Sequence, residues 1–392
     1  MSMQRTVRLQ LNLTPEQAET LLETMKQYSE CFNTVSRLGF SKNITNGVTL
    51  HKETYYPLRE QFHELPSQLV CASRVKATEA VKSALTLQKK GKKVSCPAGR
   101  HIPIRYDART YRMLSDRVSL ASISGRQVVS FRMNQHAERW MNRATGFDSA
   151  DLIYRKDRFF LHVVLTIPDV GYIPNGQSVG VDLGLNRPAV CSNKTFHGKK
   201  RWKEVDRRYF RLKRKLQSKG TKSAKKHLKR LSGKVNRFRL DCDHVISRRI
   251  VESVEPGTTI VVENLVDIRT RTKQRGRESR RRIHSWSFAQ LRGFLEYKAE
   301  EKGCTVVGVD PRYTSQMCSR CGFVHRSNRS SQSVFKCRSC GYELNADLQA
   351  SINIARKYLA GDGISVSGGL LPTSLSSQSF DSRDKPPALA VG

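Results

Sequence analysis

Residues 178–184 read Ser-Val-Gly-Val-Asp-Leu-Gly, a short apolar run that ends in a carboxylate and is followed by glycine. A run this short between breakers fits a strand buried on both faces, and it predicts a strand over Ser178–Leu183. The pattern returns at Thr258–Glu263 (TTIVVE), another buried-type strand ending in an acid. A charge at the end of a buried strand is costly unless paired or metal-bound, so Asp182 and Glu263 are candidate functional residues. A third acid, Asp347, begins a helix expected from about Ala346 to Leu359. Carboxylates from adjacent strand ends and a helix start can converge on one point. Hard oxygens in that arrangement favour Mg2+ or Mn2+. Two such ions activate a water and stabilise the departing 3′ oxygen of a phosphodiester. Taken singly, each acid is more often a cap or turn residue, and Asp267, Asp310 and Glu343 are nearby rivals. The stretch GVDLG also fits the phosphate-binding turn of actin and sugar-kinase folds. That fold needs a second Gly-rich phosphate loop, which this sequence lacks, and the net charge argues against it.

Outward from this core, a short strand is expected near Pro188–Ser192, two long basic helices across 205–255 with a break near Ser218–Thr221, a helix over Ser287–Lys302 and a strand over Cys304–Val309. Toward the N-terminus, residues 4–12 alternate as a strand does. Thr14-Pro15-Glu16-Gln17 then carries a cap, a first-turn proline and a capping-box glutamine. A helix to about Leu38 follows, and further helix is expected from Tyr56 to about Lys89. Strands are expected at Arg117–Ser122, Gln127–Arg132, Ser149–Arg155 and Phe159–Ile167. A strand, a helical insertion and more strands suggest a small β-barrel with a helical domain inserted after its first strand. The tail from Gly361, rich in Gly, Ser and Pro, is expected to be disordered.

The formal net charge is +36 over 392 residues. A chain this basic repels itself unless a polyanion neutralises it, and nucleic acid is the usual polyanion. An anionic membrane is the rival, but no apolar run approaches the roughly 18 residues of a spanning helix, and the first residues carry no apolar signal core. The expectation is a cytoplasmic protein with no membrane partner. From Lys199 to Arg239 there are 19 Lys/Arg and two acids, and from Arg269 to Arg282 eight basic residues and one acid. A solvated helix face usually mixes signs, so these runs read as phosphate-tracking surfaces. Arg207, Arg208, Arg211, Lys213, Arg214, Lys215, Lys225, Lys226, Arg280, Arg281 and Arg282 are the candidate contacts. The second run follows Glu263 and is a candidate lid. Trp286, Phe288, Tyr209 and Phe210 could stack bases or pack in the core.

Four of the ten cysteines fall in two pairs, Cys318-x-x-Cys321-Gly and Cys337-x-x-Cys340-Gly. Four thiolates at this spacing can surround one structural Zn2+ with no open position. Two disulfides or an iron–sulfur site are the alternatives; an intracellular setting and the long spacer argue against them. His325, inside the loop, reads as a surface residue rather than a further ligand. Cys31, Cys71, Cys96, Cys191, Cys242 and Cys304 are scattered and read mostly as small buried hydrophobes.

The order GVDLG, VVENL, YTSQ with CSRCG and CRSCG, then ADLQASINIA resembles the TnpB proteins of bacterial and archaeal insertion sequences, small relatives of type V CRISPR effectors. The resemblance covers about residues 176–358; the N-terminal half matches in layout more than in motif. It implies an α/β multidomain fold. Residues 1–12 and 94–175 would form a wedge-like β-barrel and 13–93 a helical recognition domain. Residues 176–314 and 343–360 would form an RNase H-like (RuvC) nuclease domain, with an inserted zinc ribbon at 315–342. It implies an RNA-guided endonuclease that binds a guide RNA from the transposon end, recognises a short DNA motif and cuts both strands of double-stranded DNA with one site. Asp182, Glu263 and Asp347 would then be the catalytic metal ligands. The expected complex contains one copy of the chain. Around the last acid the family often has Asp-x-Asp-x-Asn-Ala-Ala. Here Asn345, Gln349 and Ser351 depart from that pattern, and Gln349 keeps the capacity to donate hydrogen bonds to a ligand carboxylate. Two other readings are a guide-dependent DNA-binding repressor, which typically loses acids retained here, and a guide-free nuclease such as a junction resolvase. The long basic helices and the helical insertion favour a larger RNA partner.

Overall fold

The computed structural model describes residues 2–198, 200–265, 276–284, 287–361 and 365–366. The chain divides into two compact units, Met1–Asp169 and Val170–Gly392.

In the first unit, β1 (Ser2–Asn12) leads into α1 (Pro15–Ser41), α2 (Gly47–Gln61) and α3 (Ser67–Lys89). Then come β2 (Ile104–Tyr106), β3 (Tyr111–Met113), β4 (Arg117–Ser122), β5 (Gly125–Arg132), α4 (Gln135–Met141), β6 (Gly146–Tyr154) and β7 (Phe159–Pro168). The strands form one antiparallel sheet in the order β2-β6-β7-β1-β5-β4-β3. Its two edge strands are consecutive in sequence, joined by the short turn at 107–110, and the Tyr111 hydroxyl on one edge donates to the Asp148 carbonyl on β6 (2.7 Å). The sheet therefore curls into a nearly closed barrel, which removes most of its free edge. Along β7 burial alternates strictly, and Leu161, Val163, Leu165 and Ile167 fill the interior beside Val7 and Leu9. The capping box at Thr14 and Gln17 starts α1 as its sequence predicts. The expected single helix from Tyr56 to Lys89 is instead two. The break lies at 62–66, where Pro66 lacks an amide proton and disfavours helix at the preceding residue. The short strands β2 and β3 and helix α4 carry too few residues for a periodic signal, and the sequence did not disclose them.

In the second unit the elements run β8 (Ser178–Asp182), β9 (Ala189–Cys191), β10 (Phe196–His197), α5 (Lys200–Lys219), α6 (Lys222–Glu252), β11 (Thr259–Glu263), α7 (Arg277–His284), α8 (Phe288–Glu301) and β12 (Thr305–Val309). The hairpin β13 (Val334–Lys336) and β14 (Glu343–Asn345) leads into α9 (Ala346–Leu359), and β15 (Ser365–Val366) follows. The main sheet has the order β10-β9-β8-β11-β12-β15; β8, β11 and β12 are mutually parallel, and the strands outside them run antiparallel. On one face Val181, Ile260 and Val262 pack against Ile246 and Ile250 of α6 and Leu291 and Leu295 of α8. On the other, Val261 and Val309 pack against Ile354 of α9. Cover on both faces explains why these strands read as unbroken apolar runs. The expected disorder from Gly361 is corrected at Ser365–Val366, which pairs with Val307 and Gly308 of β12; the remainder of that tail lies outside the described residues. No helix among the described residues is long and apolar enough to cross a membrane.

Candidate carboxylate site and cysteine cluster

Parallel pairing of β8 with β11 aligns Val181 with Val262, so Asp182 and Glu263 both stand one residue beyond the last aligned pair. The open end of a parallel sheet, past the carboxyl ends of its strands, is where α/β folds place their sites. The third acid is delivered by α9. That helix lies so close over β8 that a Cβ on Gly180 would sit 2.0 Å from the Ser351 carbonyl oxygen and 2.6 Å from the Ala355 nitrogen. Only glycine permits this approach. Asn345 caps α9 by accepting from the backbone nitrogens of Asp347 and Leu348 (3.1 and 3.2 Å), which fixes Asp347 in the first turn.

Asp182 feels the charges of the other two carboxylates. Burial, then the charges of Glu263 and Asp347, push Asp182 up to about 8, with Arg329 opposing. Burial likewise raises Glu263, against a hydrogen bond from Thr314 and the charges of Lys357 and Arg329. The Thr314 hydroxyl donates to Glu263 Oε1 (2.6 Å), and Arg329 Nη2 pairs with Asp347 Oδ1 at 3.0 Å. Such a cluster of half-buried carboxylate oxygens is a donor set suited to a hard divalent cation. Of the rival acids, Asp310 follows β12 close enough to act on Glu263 but is tied to Arg312 (N to Oδ1, 3.0 Å). Glu343 is exposed and pairs with Lys336. Asp267 lies outside the described residues. Gly184 closes the tight β8–β9 turn, its nitrogen donating to the Pro188 carbonyl (3.3 Å).

The four cysteines converge more tightly. Their sulfurs lie within 4.8 Å of one another, with Cys318–Cys340 at 3.7 Å and Cys321–Cys337 at 3.5 Å. A tetrahedron with Zn–S bonds of ~2.3 Å spaces its sulfurs by ~3.8 Å, whereas a disulfide needs ~2.05 Å. The set can hold a zinc ion, and all ten cysteines are free of disulfides. Among the described residues no other group of three His, Cys, Asp or Glu is so close. His325 caps the short turn at Arg326–Asn328, its Nδ1 accepting from Ser327 N (3.2 Å), and stacks on Phe323. Cys31, Cys191, Cys242 and Cys304 are buried; Cys71 and Cys96 are half-buried.

Gln349 does not reach a carboxylate. It is fully buried, donates to the Met317 carbonyl (2.9 Å) and accepts from Ser319 (2.9 Å), and so anchors α9 to the first cysteine knuckle. Asn353 adds bonds to the Thr314 and Met317 carbonyls (2.8 and 2.7 Å), and Arg356 donates to the Ser319 carbonyl. A single docked surface therefore joins the cysteine knuckle to the helix that carries Asp347. The departures at Asn345, Gln349 and Ser351 are absorbed by this scaffold: cap, anchor and an Oγ bond to the Leu348 carbonyl (2.8 Å).

Helices α5 and α6 pair through Leu212, Leu216, Ala224, Leu228 and Leu231, with Arg239 on Asp206 at 2.6 Å. Arg207, Arg208, Arg211, Lys213, Arg214, Lys215, Lys225 and Lys226 are all exposed, as is Arg280. Arg281 lies over the Phe210 ring at 3.7 Å, and Tyr209 meets Phe238 edge-on, so these two aromatics have intramolecular partners. Phe288 opens α8. The Arg282 side chain, Trp286 and residues 269–275 of the candidate lid lie outside the described residues; residues 277–284 are helical.

Sequence analysis alone did not single out Thr314, although it sits in the YTSQ stretch. Nor did it find Arg329, whose surroundings (SNRSS) carry no signal.

A parallel-strand pair presenting half-buried carboxylates, joined to a four-cysteine knuckle, defines an α/β protein. The chain folds like one from a Cas12f1–sgRNA–target DNA complex, with a TM-score of 0.62 at 15% identity over 90% of this chain and 99% of that one. A family model described as "Cas12f1-like, TNB domain" matches residues 288–354, and one described as "Probable transposase" matches 164–269. A CRISPR-associated endodeoxyribonuclease Cas12f1 of Sulfoacidibacillus thermotolerans is 32% identical over 51% of this chain and 50% of its own length. A TnpB-like protein of Methanocaldococcus jannaschii is 31% identical over 38% and 52%. The chain spans about half the length of these curated relatives. The chain is thus similar, over part of its length, to Cas12f1 and TnpB-like proteins.

Proposed function

We propose that the protein is an RNA-guided DNA endonuclease encoded by an insertion sequence, and that Asp182, Glu263 and Asp347 are its catalytic acids. The observation that carries the reading is the convergence of three acids from distant segments, two at aligned ends of parallel strands and one on a helix laid over Gly180. They would hold Mg2+ or Mn2+, which when bound supplies activation of a water and stabilisation of the departing oxygen. Thr314 orients Glu263, and the low-dielectric surroundings keep the acids from being satisfied by bulk water. The exposed cations of α5 and α6 would follow the phosphates of guide RNA or heteroduplex, and base pairing would supply sequence choice. One structural zinc in the Cys318, Cys321, Cys337 and Cys340 set would hold the knuckle that anchors α9. The second unit would be the RuvC-like nuclease domain with its zinc ribbon, and the first unit the wedge-like barrel with its helical recognition insertion. The names of the relatives, an endodeoxyribonuclease and a TnpB-like protein, and the guide- and target-bound state of the structural neighbour support this reading.

The test is plasmid cleavage by protein co-expressed with RNA from its own genomic 3′ flank, on a target beside a library of flanking sequences. Guide-matched, Mg2+-dependent cutting that EDTA stops is expected. Guide-dependent binding without cutting would make the protein a repressor, and cutting that ignores the guide would leave a guide-free nuclease.

A further inference from the structure

Arg329 belongs to neither ligand set, yet it touches one and is carried by the segment that links the halves of the other. It lies between Cys321 and Cys337, and its Nη2 stands 3.0 Å from Asp347 Oδ1 and 2.9 Å from the Gln332 carbonyl. Its charge also acts on Asp182 and Glu263. The two side chains of the pair are only 26% and 14% exposed, so solvent screens the contact weakly. Its place in the chain is fixed by its neighbour. Asn328 is fully buried, donates to the Gln316 and Phe323 carbonyls (2.9 and 3.1 Å) beside the first knuckle, and accepts from Arg338 N (2.9 Å) in the second. The cysteine module thus presents a cation to the acids from a loop that both knuckles hold in register.

We propose that Arg329 is a built-in counter-ion for the carboxylate cluster, occupying on Asp347 the position a divalent cation needs, so that the cation and the cysteine module compete for Asp347. This rests on the metal-site reading above. A guanidinium on Oδ1 takes up one of the lone pairs open to a cation, and two positive groups that close repel. Without a cation, Arg329 relieves the repulsion that Glu263 and Asp347 exert on Asp182. With one, it must let go, and by linkage cation binding loosens the hold of the module on the site to the same extent that the module weakens cation binding. The residue is a positioning residue, acting through Asp347.

The experiment is Mn2+ titration of the full-length, zinc-retaining protein, free of other divalent ions. Bound Mn2+ is read from the loss of the free-ion electron paramagnetic resonance signal, and the binding left in Asp182→Asn is subtracted. Arg329→Gln is expected to bind Mn2+ roughly tenfold tighter than wild type, within the usual range of coupling between competing groups. Arg329→Lys keeps the charge on a more loosely held contact and is expected to fall between the two. It carries the test if the glutamine variant does not fold. Equal or weaker affinity in the variants, with binding still lost in Asp182→Asn, overturns the counter-ion while leaving the metal site standing. Binding that ignores Asp182→Asn in every protein overturns the metal site and the counter-ion with it.

Discussion

The cysteine cluster and the carboxylate cluster sit in the same unit and are tied to the same helix, but they are built in opposite ways. The cysteines come from two tight turns of adjacent sequence, and their sulfurs close to within 4.8 Å of one another. The acids come from three segments far apart in the chain, and loss of solvent, followed by repulsion from Glu263 and Asp347, lifts Asp182 to about 8. A local motif of soft ligands draws itself together around its ion. A distributed set of hard ligands must be forced together by the fold, here by strand register and by the missing Cβ of Gly180. The two clusters communicate through Gln349, Asn353 and Arg356 on one side and Arg329 on the other.

If the acids act as one set, removing any of them removes the chemistry. Asp347→Ala is expected to lower guide-dependent cleavage by about a thousandfold or more, the scale seen when a member of a cooperating catalytic set is deleted. Single-turnover cleavage on a matched plasmid measures this, and a loss of only a few-fold would separate Asp347 from Asp182 and Glu263. Next in size, Cys337→Ser should cut bound zinc from one equivalent per chain to near none, measured by atomic emission, and lower the melting temperature, because zinc sites of this kind contribute folding energy. Retained zinc would place the ion elsewhere.

A steric change sharpens the contrast further. Gly180→Ala inserts a methyl where the α9 backbone already lies, and should destabilise the protein by about 1–3 kcal/mol in urea unfolding, the usual range for overpacking. It leaves the cysteine spacing untouched, so zinc should be retained while cleavage falls. The smallest effect is on pH. Asp182 has its folded pKa raised above the ordinary carboxylate range, so the folded state holds the extra proton. Its contribution to metal-free stability is therefore greatest at low pH and is lost as pH rises toward about 8. Asp182→Asn should flatten that slope in thermal melts at pH 5 to 8.5, and Mn2+ should raise the melting temperature more at the upper end than at the lower.

The same contrast explains what the sequence disclosed. The spacing of Cys318, Cys321, Cys337 and Cys340 specifies a cluster without knowledge of the fold, because all four lie on neighbouring turns. Asp182 and Glu263 were legible because each ends an apolar strand, where a charge is conspicuous. Their alignment in one parallel pair was not, since register is set by tertiary packing. Arg329 stayed hidden because an arginine among serines looks like solvated surface; only the loop position fixed by Asn328 turns it toward Asp347. Gln349 keeps its donor capacity but spends it elsewhere. Its helical position placed it near the acids, but its amide satisfies the Met317 carbonyl and Ser319 instead. In the first unit the long strands and the capping box of α1 were plain. The break between α2 and α3 was missed because the apolar spacing runs on through Leu65 while Pro66 interrupts the backbone.

The most direct test of the central claim is the position of a bound ion. Crystals of the full-length protein soaked in Mn2+ would be measured at the manganese absorption edge, with a second data set at the zinc edge. An anomalous manganese peak is expected among the carboxylates of Asp182, Glu263 and Asp347, with a separate zinc peak among the four cysteine sulfurs. Manganese that avoids the three acids, or no manganese peak while the zinc peak is present, would contradict that claim.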